Sequence, residues 1–236
     1  MLINEHMGKA IKRRDMTALA EHRRLLQRRP RLHYLFFELT DSCNMRCLHC
    51  GSSCGEGQVR FLSEDKVKEV LECTAKAYQA ERIMVCFTGG EPMLHPRFFE
   101  MAEYASRLGF VVGLTTNGTL ITGDTAERIV RSGIRSVSVS MDGEEHSHDM
   151  LRDVPGAFER AASGIRELTE YSRGKVSVQI TTVFHKMNLD QFNDMLGLAE
   201  KLGVSAWRPI NIEPIGRALE HPELLLDNDD YVRLLK

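Results

Sequence analysis

The 236-residue sequence predicts an α/β protein in which helices cover a parallel sheet. Three observations support this prediction. Short apolar runs alternate with amphipathic helical stretches, the strands are apolar throughout, and glycines follow several of the helices. Six such strand–helix units fit either an open doubly wound sheet or a partial TIM-like barrel. In both architectures functional side chains meet at the carboxyl ends of the strands.

The composition is that of an ordinary globular protein. Hydrophobic residues make up 42% and charged residues 27% of the chain, and the formal net charge is −2. This balance gives no indication of nucleic-acid binding. The longest apolar run, Ile83-Met-Val-Cys-Phe87, is too short to cross a membrane. With 6 cysteines and no recognisable secretory signal, we expect a reducing, cytoplasmic location.

The N-terminal segment, residues 1–32, is expected to be basic and helical. Nine Lys or Arg residues against two acidic residues lie between Lys9 and Arg31. The pattern predicts an amphipathic helix over Asp15–Arg29 with its apolar residues facing inward. These are Met16, Leu19, Ala20, Leu25 and Leu26. The basic face is either solvated or a docking surface for an acidic leader peptide.

The other elements follow in order along residues 33–215, which we expect to form the core. A β run at His33–Leu39 comes first. Ser63 is the expected N-cap of a helix that runs to about Gln79. Five more strands are predicted at Ile83–Phe87, Val111–Thr115, Ser136–Ser140, Val176–Val183 and Ala206–Ile212. Further helices are predicted at Arg97–Arg107, Gly123–Arg131, Ala157–Tyr171 and Leu189–Leu202. Residues 216–236 are expected to be a tail or the start of a further segment.

The first loop carries the strongest chemical signal, a Cys-x3-Cys-x2-Cys motif formed by Cys43, Cys47 and Cys50. Three thiolates on one loop can hold three irons of a [4Fe–4S] cluster and leave the fourth iron open for a ligand. A zinc site completed by His49 or Cys54 is an alternative, although the second ligand pair that such sites usually have does not follow.

The remaining cysteines give weaker signals. Cys73 and Cys86 fall at apolar positions of a predicted helix and strand, where we expect small buried side chains. Cys54 is either a simple loop thiol or a residue with a redox or cluster role. A disulfide framework is disfavoured because the expected location is reducing.

Further polar motifs end the next three strands. Thr88-Gly-Gly-Glu-Pro92 follows strand two, where paired glycines allow close approach to a ligand and Glu91 offers an acceptor for an ammonium group. Asn117 follows strand three. Ser140 and Asp142 end strand four at alternate positions, which share one side of a continuing strand. Each motif is alternatively a plain turn. With the cysteine loop, however, four motifs converge on one rim.

Together these motifs resemble the radical S-adenosylmethionine (radical SAM) family, most closely its SPASM-bearing peptide and cofactor maturases. The resemblance rests on Leu39–Cys43, Leu48–Cys50, Gly89–Pro92, Ser140–Gly143 and the stretch from Glu145 to Arg152. It implies a partial TIM-like (βα)6 barrel of the radical SAM type. That group also has a cysteine-rich C-terminal extension, and no cysteine follows Cys86, so we expect a core without this extension or a fragment.

The resemblance also implies roles for individual residues. Cys43, Cys47 and Cys50 would hold a [4Fe–4S] cluster whose open iron binds S-adenosylmethionine (SAM). The residues implied to contact SAM are Gly89, Gly90, Glu91, Asn117, Ser140, Asp142, Arg152 and Val183. In this set the Gly-Gly-Glu segment meets the SAM amino group, Ser140 and Arg152 meet its carboxylate, and Val183 meets the adenine. His146 and His148 are expected to be solvated loop residues.

Family chemistry implies reductive cleavage of SAM to methionine and a 5′-deoxyadenosyl radical, which abstracts a hydrogen atom from the substrate. The expected partners are a peptide or peptide-derived substrate and an electron donor such as flavodoxin or ferredoxin, with no nucleic acid and no membrane. One alternative is an enzyme that acts on a small-molecule cofactor or a sugar precursor. Another is a non-enzymatic Fe–S or zinc protein, which would not need the Gly89–Glu91 and Ser140–Arg152 motifs.

Overall fold

A computed structural model describes residues 16–28, 31–57 and 59–234, and the chain divides into two units, Met1–His33 and Tyr34–Lys236. In the first unit residues 16–28 form helix α1, while both ends of the predicted helix lie outside the described residues. Met16, Leu19 and Leu25 are exposed rather than turned inward. Within this unit α1 is the only element that the structure describes, so no second element of the unit covers its apolar stripe.

The second unit is built on one six-stranded parallel sheet. Its strands are Tyr34–Glu38 (β1), Met84–Thr88 (β2), Val111–Thr116 (β3), Ile134–Ser140 (β4), Ser177–Phe184 (β5) and Ala206–Asn211 (β6). The spatial order is β1-β2-β3-β4-β5-β6, so it never reverses. Right-handed crossovers that always advance in one direction place their helices on one face of the sheet. A doubly wound sheet requires a reversal. The partial barrel is therefore confirmed and the doubly wound alternative is excluded.

Helices follow the strands along the chain. They are Glu64–Ala77 (α2), Phe98–Arg107 (α3), Gly123–Arg131 (α4), Glu145–Arg152 (α5), Ala157–Ser172 (α6), Phe192–Lys201 (α7) and Asn228–Leu234 (α8). Ser63 is the N-cap of α2, as predicted, because its side chain accepts the N–H of Lys66 at 3.2 Å. None of the described helices combines the length and the apolar composition needed to cross a membrane.

The main core lies on the side of the sheet that the helices cover. The ring of Phe87 on β2 stacks on that of Phe37 on β1, with centroids 5.9 Å apart, and meets Phe98 of α3 edge-on at 6.0 Å. Full burial of a large apolar side chain contributes about 1.5–3 kcal/mol. On the other face of β1, Tyr34 and Phe36 are exposed. The strand positions thus alternate between a packed face and an open concave face.

Two side-chain expectations are corrected by the helices. Cys73 is exposed rather than buried, because α2 buries Val67 and Leu71 and a residue two positions after Leu71 points about 200° away from it. His148 is fully buried in α5, an element that the sequence pattern did not predict. Of the two histidines assigned to a solvated loop, only His146 is exposed.

The segment after β6 packs on the sheet-bearing unit. Ala218 and Leu224 are buried together with Leu151 of α5 and Ile212. The described residues 216–234, for which the sequence suggested a tail or the start of a further segment, therefore lie in the same compact unit as the sheet. This packing places the segment beside the loop that follows β1.

Candidate functional site

The loop after β1 gathers the three motif cysteines. Cys47 is buried with Met45 and Ala157, and the half-buried Cys43 and Cys50 pack against the same cluster. Burial raises the pKa of the Cys43 thiol to about 11, and the neighbouring Cys47 and Cys50 thiols act in the same direction. The structure thus brings together the three side chains that the spacing had picked out.

The Gly-Gly pair brings the end of β2 against the backbone that leads into this loop. The Gly90 N–H donates to the Thr40 carbonyl oxygen at 2.7 Å, and the Glu91 N–H donates to the Ser42 carbonyl oxygen at 2.8 Å. Gly89 has a φ of 127°, and a Cβ there would lie 2.5 Å from the Thr40 carbonyl oxygen. A Cβ on Gly90 would collide with the Ser42 backbone. The close approach allowed by these glycines therefore also holds the cysteine loop against β2.

Glu91 is 0% exposed, and its carboxylate is hydrogen-bonded within the protein. The Thr116 hydroxyl lies 2.9 Å from both carboxylate oxygens. The Asn117 N–H donates to Oε2 at 2.9 Å and the Met93 N–H to Oε1 at 3.3 Å. Burial raises the pKa of Glu91 to about 7, even though these hydrogen bonds act in the opposite direction. The side chain thus ties β2 to the end of β3, and its own surface is closed to solvent.

Asn117 links the end of β3 to the cysteine loop. Its amide Nδ2 donates to the side-chain oxygen of Asn44 at 2.8 Å. Its Oδ1 accepts the hydroxyl and the N–H of Thr119 at 2.7 and 3.0 Å. Asn44 lies inside the cysteine motif. Asn117, which is buried, therefore both forms the turn and faces the site. The turn role and the site-facing role of Asn117 are compatible.

On the β4 side, Asp142 and Arg152 form a buried ion pair, and the Arg152 guanidinium also donates to the Cys47 sulfur at 3.6 Å. Asp142 accepts the Val183 N–H at 2.8 Å. Although burial opposes its charge, the pKa of Asp142 is lowered to about 2 by Arg152. Burial likewise opposes the charge of Arg152, yet Asp142 and Cys47 raise the pKa of Arg152 above its ordinary value. Both groups are charged at neutral pH.

Two histidines complete the surroundings of Asp142. His148 accepts the Asp142 N–H on Nδ1 at 3.0 Å, so its burial in α5 has a structural purpose. His49 Nε2 lies 3.7 Å from the Asp142 carboxylate. Burial lowers the pKa of each histidine to about 4. Both imidazoles are therefore neutral at pH 7, and the Arg152 guanidinium is the main positive charge facing Asp142.

A cavity of about 140 Å³ lies between these elements. Its walls include Cys43, Cys47, Cys54, Thr88, Gly89, Gly90, Thr115, Thr116, Asn117, Ser140 and Arg152. Arg152 has a buried Nε that lacks a hydrogen-bond partner within the described part of the chain. The cavity thus combines soft thiol ligands with a fixed cation and exposed backbone, which is a donor set that suits an iron–sulfur cluster and an anionic group beside it.

Four predicted residues do not line this cavity: Cys50, Glu91, Asp142 and Val183. Asp142 is behind Arg152, and Val183 packs against the apolar cluster that contains Leu151 and Ile212. Cys54, which the sequence left ambiguous, is buried and lines the cavity with Cys43 and Cys47. Its position depends on how the loop folds back, which spacing alone does not reveal. Within the described ranges, no three His, Cys, Asp or Glu side chains are arranged to hold a single metal ion.

Comparison with known proteins matches residues 37–199 to the radical SAM superfamily. The chain belongs to this superfamily. Its cofactors are accordingly a [4Fe–4S] cluster and SAM, and the residues around the cavity fit both groups. In a cluster each cysteine binds a different iron, so the three thiols need not converge on one ion.

Relatives in sequence include two kinds of radical SAM enzyme. The AdoMet-dependent heme synthase of Oleidesulfovibrio alaskensis is 34% identical over 87% of this chain and 52% of the relative. Mycofactocin maturase MftC of Mycolicibacterium smegmatis is 30% identical over 79% of this chain and 46% of the relative. The chain thus spans about half the length of these curated relatives.

The fold is shared with solved radical SAM structures. Streptococcus suis SuiB bound to S-adenosylmethionine superposes with a TM-score of 0.72 at 15% identity, over 93% of this chain and 50% of SuiB. SuiB bound to its precursor peptide SuiA superposes with a TM-score of 0.71 at 17% identity, over 93% of this chain and 48% of SuiB. At these identities the likeness shows the fold alone.

Proposed function

We propose that this chain is the core of a radical SAM enzyme that cleaves SAM reductively and modifies an organic substrate by hydrogen abstraction. One observation carries the proposal: the motif thiols of Cys43 and Cys47, the Gly89–Gly90 backbone and the Arg152 guanidinium line a single cavity. An electron carrier or a structural zinc protein would not need a backbone and a cation arranged to receive SAM beside the thiols. We also propose that the core extends past residue 215, which the packing of the segment after β6 supports.

Cys43, Cys47 and Cys50 would hold the cluster. When bound, the cluster and SAM supply one-electron chemistry that side chains lack. Arg152 would orient the SAM carboxylate through its free Nε, while Asp142 keeps the guanidinium charged and fixed in direction. The remaining SAM contacts proposed are Gly89, Gly90, Asn117 and Ser140 on the cavity and the partly buried Val183 outside it, with Glu91 placing the backbone that receives the amino group. The buried rim also limits access of water and oxygen.

For the substrate we propose a peptide or peptide-derived molecule, with a flavodoxin or ferredoxin as electron donor. The relationship to mycofactocin maturase and the fold shared with peptide-bound SuiB support this class. A second candidate is a tetrapyrrole, which the higher identity to AdoMet-dependent heme synthases favours. The two are separated by incubating the reduced protein and SAM with a precursor peptide from a neighbouring gene or with an iron porphyrin, and following the mass change.

The cluster assignment gives a direct prediction. Anaerobically reconstituted protein should hold about four irons and four sulfides per chain. Replacing Cys43, Cys47 or Cys50 by Ala should abolish the visible Fe–S absorption, because each cysteine would bind its own iron. Cys73→Ala is the matched control, since Cys73 is exposed on the outer side of α2. Stoichiometric zinc without Fe–S absorption would contradict the proposal.

Reduced protein should also bind SAM and release 5′-deoxyadenosine slowly without substrate. SAM binding is followed by the change in the EPR spectrum of the reduced cluster. Glu91→Ala should weaken SAM binding while iron content stays near the wild-type level, because the Glu91 side chain holds the turn that follows Gly89–Gly90 against the end of β3 and is not assigned to iron. A variant that binds SAM as tightly as wild type would show that this support is dispensable.

A further inference from the structure

Arg217 lies just after β6 and is only 4% exposed, although arginine is rarely buried without partners. Its Nε donates to the Cys47 carbonyl oxygen and its Nη1 to the Cys54 carbonyl oxygen, both at 2.9 Å. Its backbone N–H donates to the Cys50 carbonyl oxygen at 3.0 Å. One residue from the C-terminal segment therefore contacts the backbone at three cysteines of the loop.

The preceding residue locks this contact in place. Gly216 has a φ of 56°, and a Cβ there would overlap the backbone oxygens of Cys50 and Gly51. The chain at Gly216 thus lies directly on the cysteine loop, at a distance that only glycine allows. The side chain of Arg217 then enters the interior of the loop, where its single carboxylate contact is Glu56 at 3.0 Å within the described residues.

The loop needs such support because it has little regular structure of its own. The stretch from Ser42 to Gly57 contains turns and bends but neither helix nor strand. Buried backbone carbonyls in such a stretch must find donors elsewhere in the protein. The planar guanidinium can serve several acceptors in a fixed geometry, whereas a lysine ammonium acts as a compact point charge.

We propose that Arg217 is a positioning residue for the cluster: it fixes the shape of the cysteine loop and places a permanent positive charge behind the sulfur ligands. This inference rests on the proposed function. A thiolate-bound cluster becomes more negative when it accepts an electron, so a nearby cation favours the reduced form. Glu56, 39% exposed in its side chain, partly offsets that cation.

Four variants test this proposal on the anaerobically reconstituted full chain: Arg217→Gln, Arg217→Lys, Glu56→Gln and Arg46→Gln. The readouts are iron per chain, EPR-monitored midpoint potential and thermal unfolding. Arg46 is the matched control because it contacts the same Glu56 carboxylate at 3.1 Å, lies on the same loop and is 66% exposed.

We expect Arg217→Gln to shift the one-electron equilibrium at least tenfold toward the oxidised cluster, a fall of about 59 mV. Glu56→Gln should shift it about threefold in the opposite direction. Arg46→Gln should change it by less than about twofold, since solvent screens its charge. Arg217→Lys keeps the charge and should leave the one-electron equilibrium within about twofold of wild type. Its iron content should be lower, because lysine cannot reproduce the guanidinium contacts to the Cys47 and Cys54 carbonyl oxygens.

Equal potentials in Arg217→Gln and Arg46→Gln would overturn the proposal. The proposal would also be overturned if the midpoint potential shifted in the same direction in Arg217→Gln and Glu56→Gln. One variant removes a cation and the other an anion, so an effect of charge must shift the potential in opposite directions, whereas a purely structural effect does not depend on the sign of the charge removed. If Arg217→Gln retains no cluster, two of the other variants test the proposal. A shift toward the oxidised cluster in Glu56→Gln, or a shift of more than about twofold in Arg217→Lys, would then overturn it. A wild-type chain that holds no Fe–S cluster would refute the proposed function itself, whereas normal clusters with unchanged potentials refute only the role of Arg217.

Discussion

Two carboxylates on opposite sides of the same rim, Glu91 after β2 and Asp142 after β4, are both 0% exposed and yet have opposite pKa shifts. Glu91 receives its hydrogen bonds from a hydroxyl and backbone N–H groups, all neutral, and burial raises its pKa to about 7. Asp142 is equally buried, but the Arg152 cation overcomes the burial and the pKa falls to about 2.

The comparison shows that burial determines the cost of a charge while the partner determines whether the charge persists. The β4 side holds a permanent ion pair that presents Arg152 to the cavity. The β2 side holds a carboxyl group that titrates near neutrality. An ammonium group brought to the Gly89–Gly90 backbone would favour the ionised form of Glu91, so this side is the one whose charge we expect to respond to SAM.

The largest effect is expected from breaking the ion pair. Arg152→Gln leaves the Asp142 charge buried without its cation, which typically costs about 3–5 kcal/mol of unfolding free energy. Urea unfolding of the anaerobically purified protein at pH 7 measures this loss. Arg135→Gln is the control because Arg135 is exposed on β4, and its effect should stay within about 0.5 kcal/mol.

The double variant Asp142→Asn/Arg152→Gln should recover much of the loss, because it removes both charges and leaves no unpaired ion. Recovery would be measured in the same urea experiment. If the double variant is no more stable than Arg152→Gln alone, the cost comes from packing or from the contact to Cys47, and Arg152 does not stabilise the fold by neutralising Asp142.

Much of the fold could be read from the sequence because its signals are local. The strands lie within one or two residues of the predicted bounds, since apolar runs and the turns that bracket them are short-range features. The Ser63 cap is local in the same sense. Helix α5 was missed because Glu145–Arg152 is polar and short, so periodicity gives little indication of it.

The side-chain partnerships could not be read in this way. Spacing placed Glu91 at the rim, but its partner Thr116 is 25 residues away and turns the carboxylate inward. Arg217 contacts Cys47 across 170 residues of sequence. Such contacts depend on which strand ends are neighbours, and a single sequence does not state that order.

The second prediction concerns how the free energy of unfolding depends on pH through Glu91, on the β2 side. Folding raises the pKa of Glu91 from its ordinary value of 4.5 to about 7, so the folded state holds this proton more tightly. Its contribution is present below pH 4.5 and is lost as the pH rises through 7. Wild-type stability relative to Glu91→Gln should therefore fall by about 2 to 3 kcal/mol between pH 5 and 8.

The difference between the two proteins is the quantity to measure, by urea unfolding at each pH. The buried histidines change stability with pH in the opposite direction. Because their pKa values are lowered, the folded state becomes less stable as the pH falls from 6.5 toward 4. That dependence is common to both proteins and cancels in the difference. A difference that does not vary with pH would show that Glu91 keeps one protonation state.

The smallest effect is expected from the Thr116 hydroxyl, which lies 2.9 Å from both oxygens of Glu91 and also accepts the Gly118 N–H at 3.0 Å. Thr116→Val keeps the shape and removes these hydrogen bonds. We expect a loss of about 1 kcal/mol at pH 5, where Glu91 is neutral, and a larger loss at pH 8, because hydrogen bonds to charged groups are worth roughly 1.5–3 kcal/mol. Thr116→Ser is the control. It keeps the hydroxyl, so any loss of stability should be no larger at pH 8 than at pH 5. Equal losses of Thr116→Val at both pH values would mean that the hydroxyl supports the turn at Gly118 and does not stabilise the Glu91 charge.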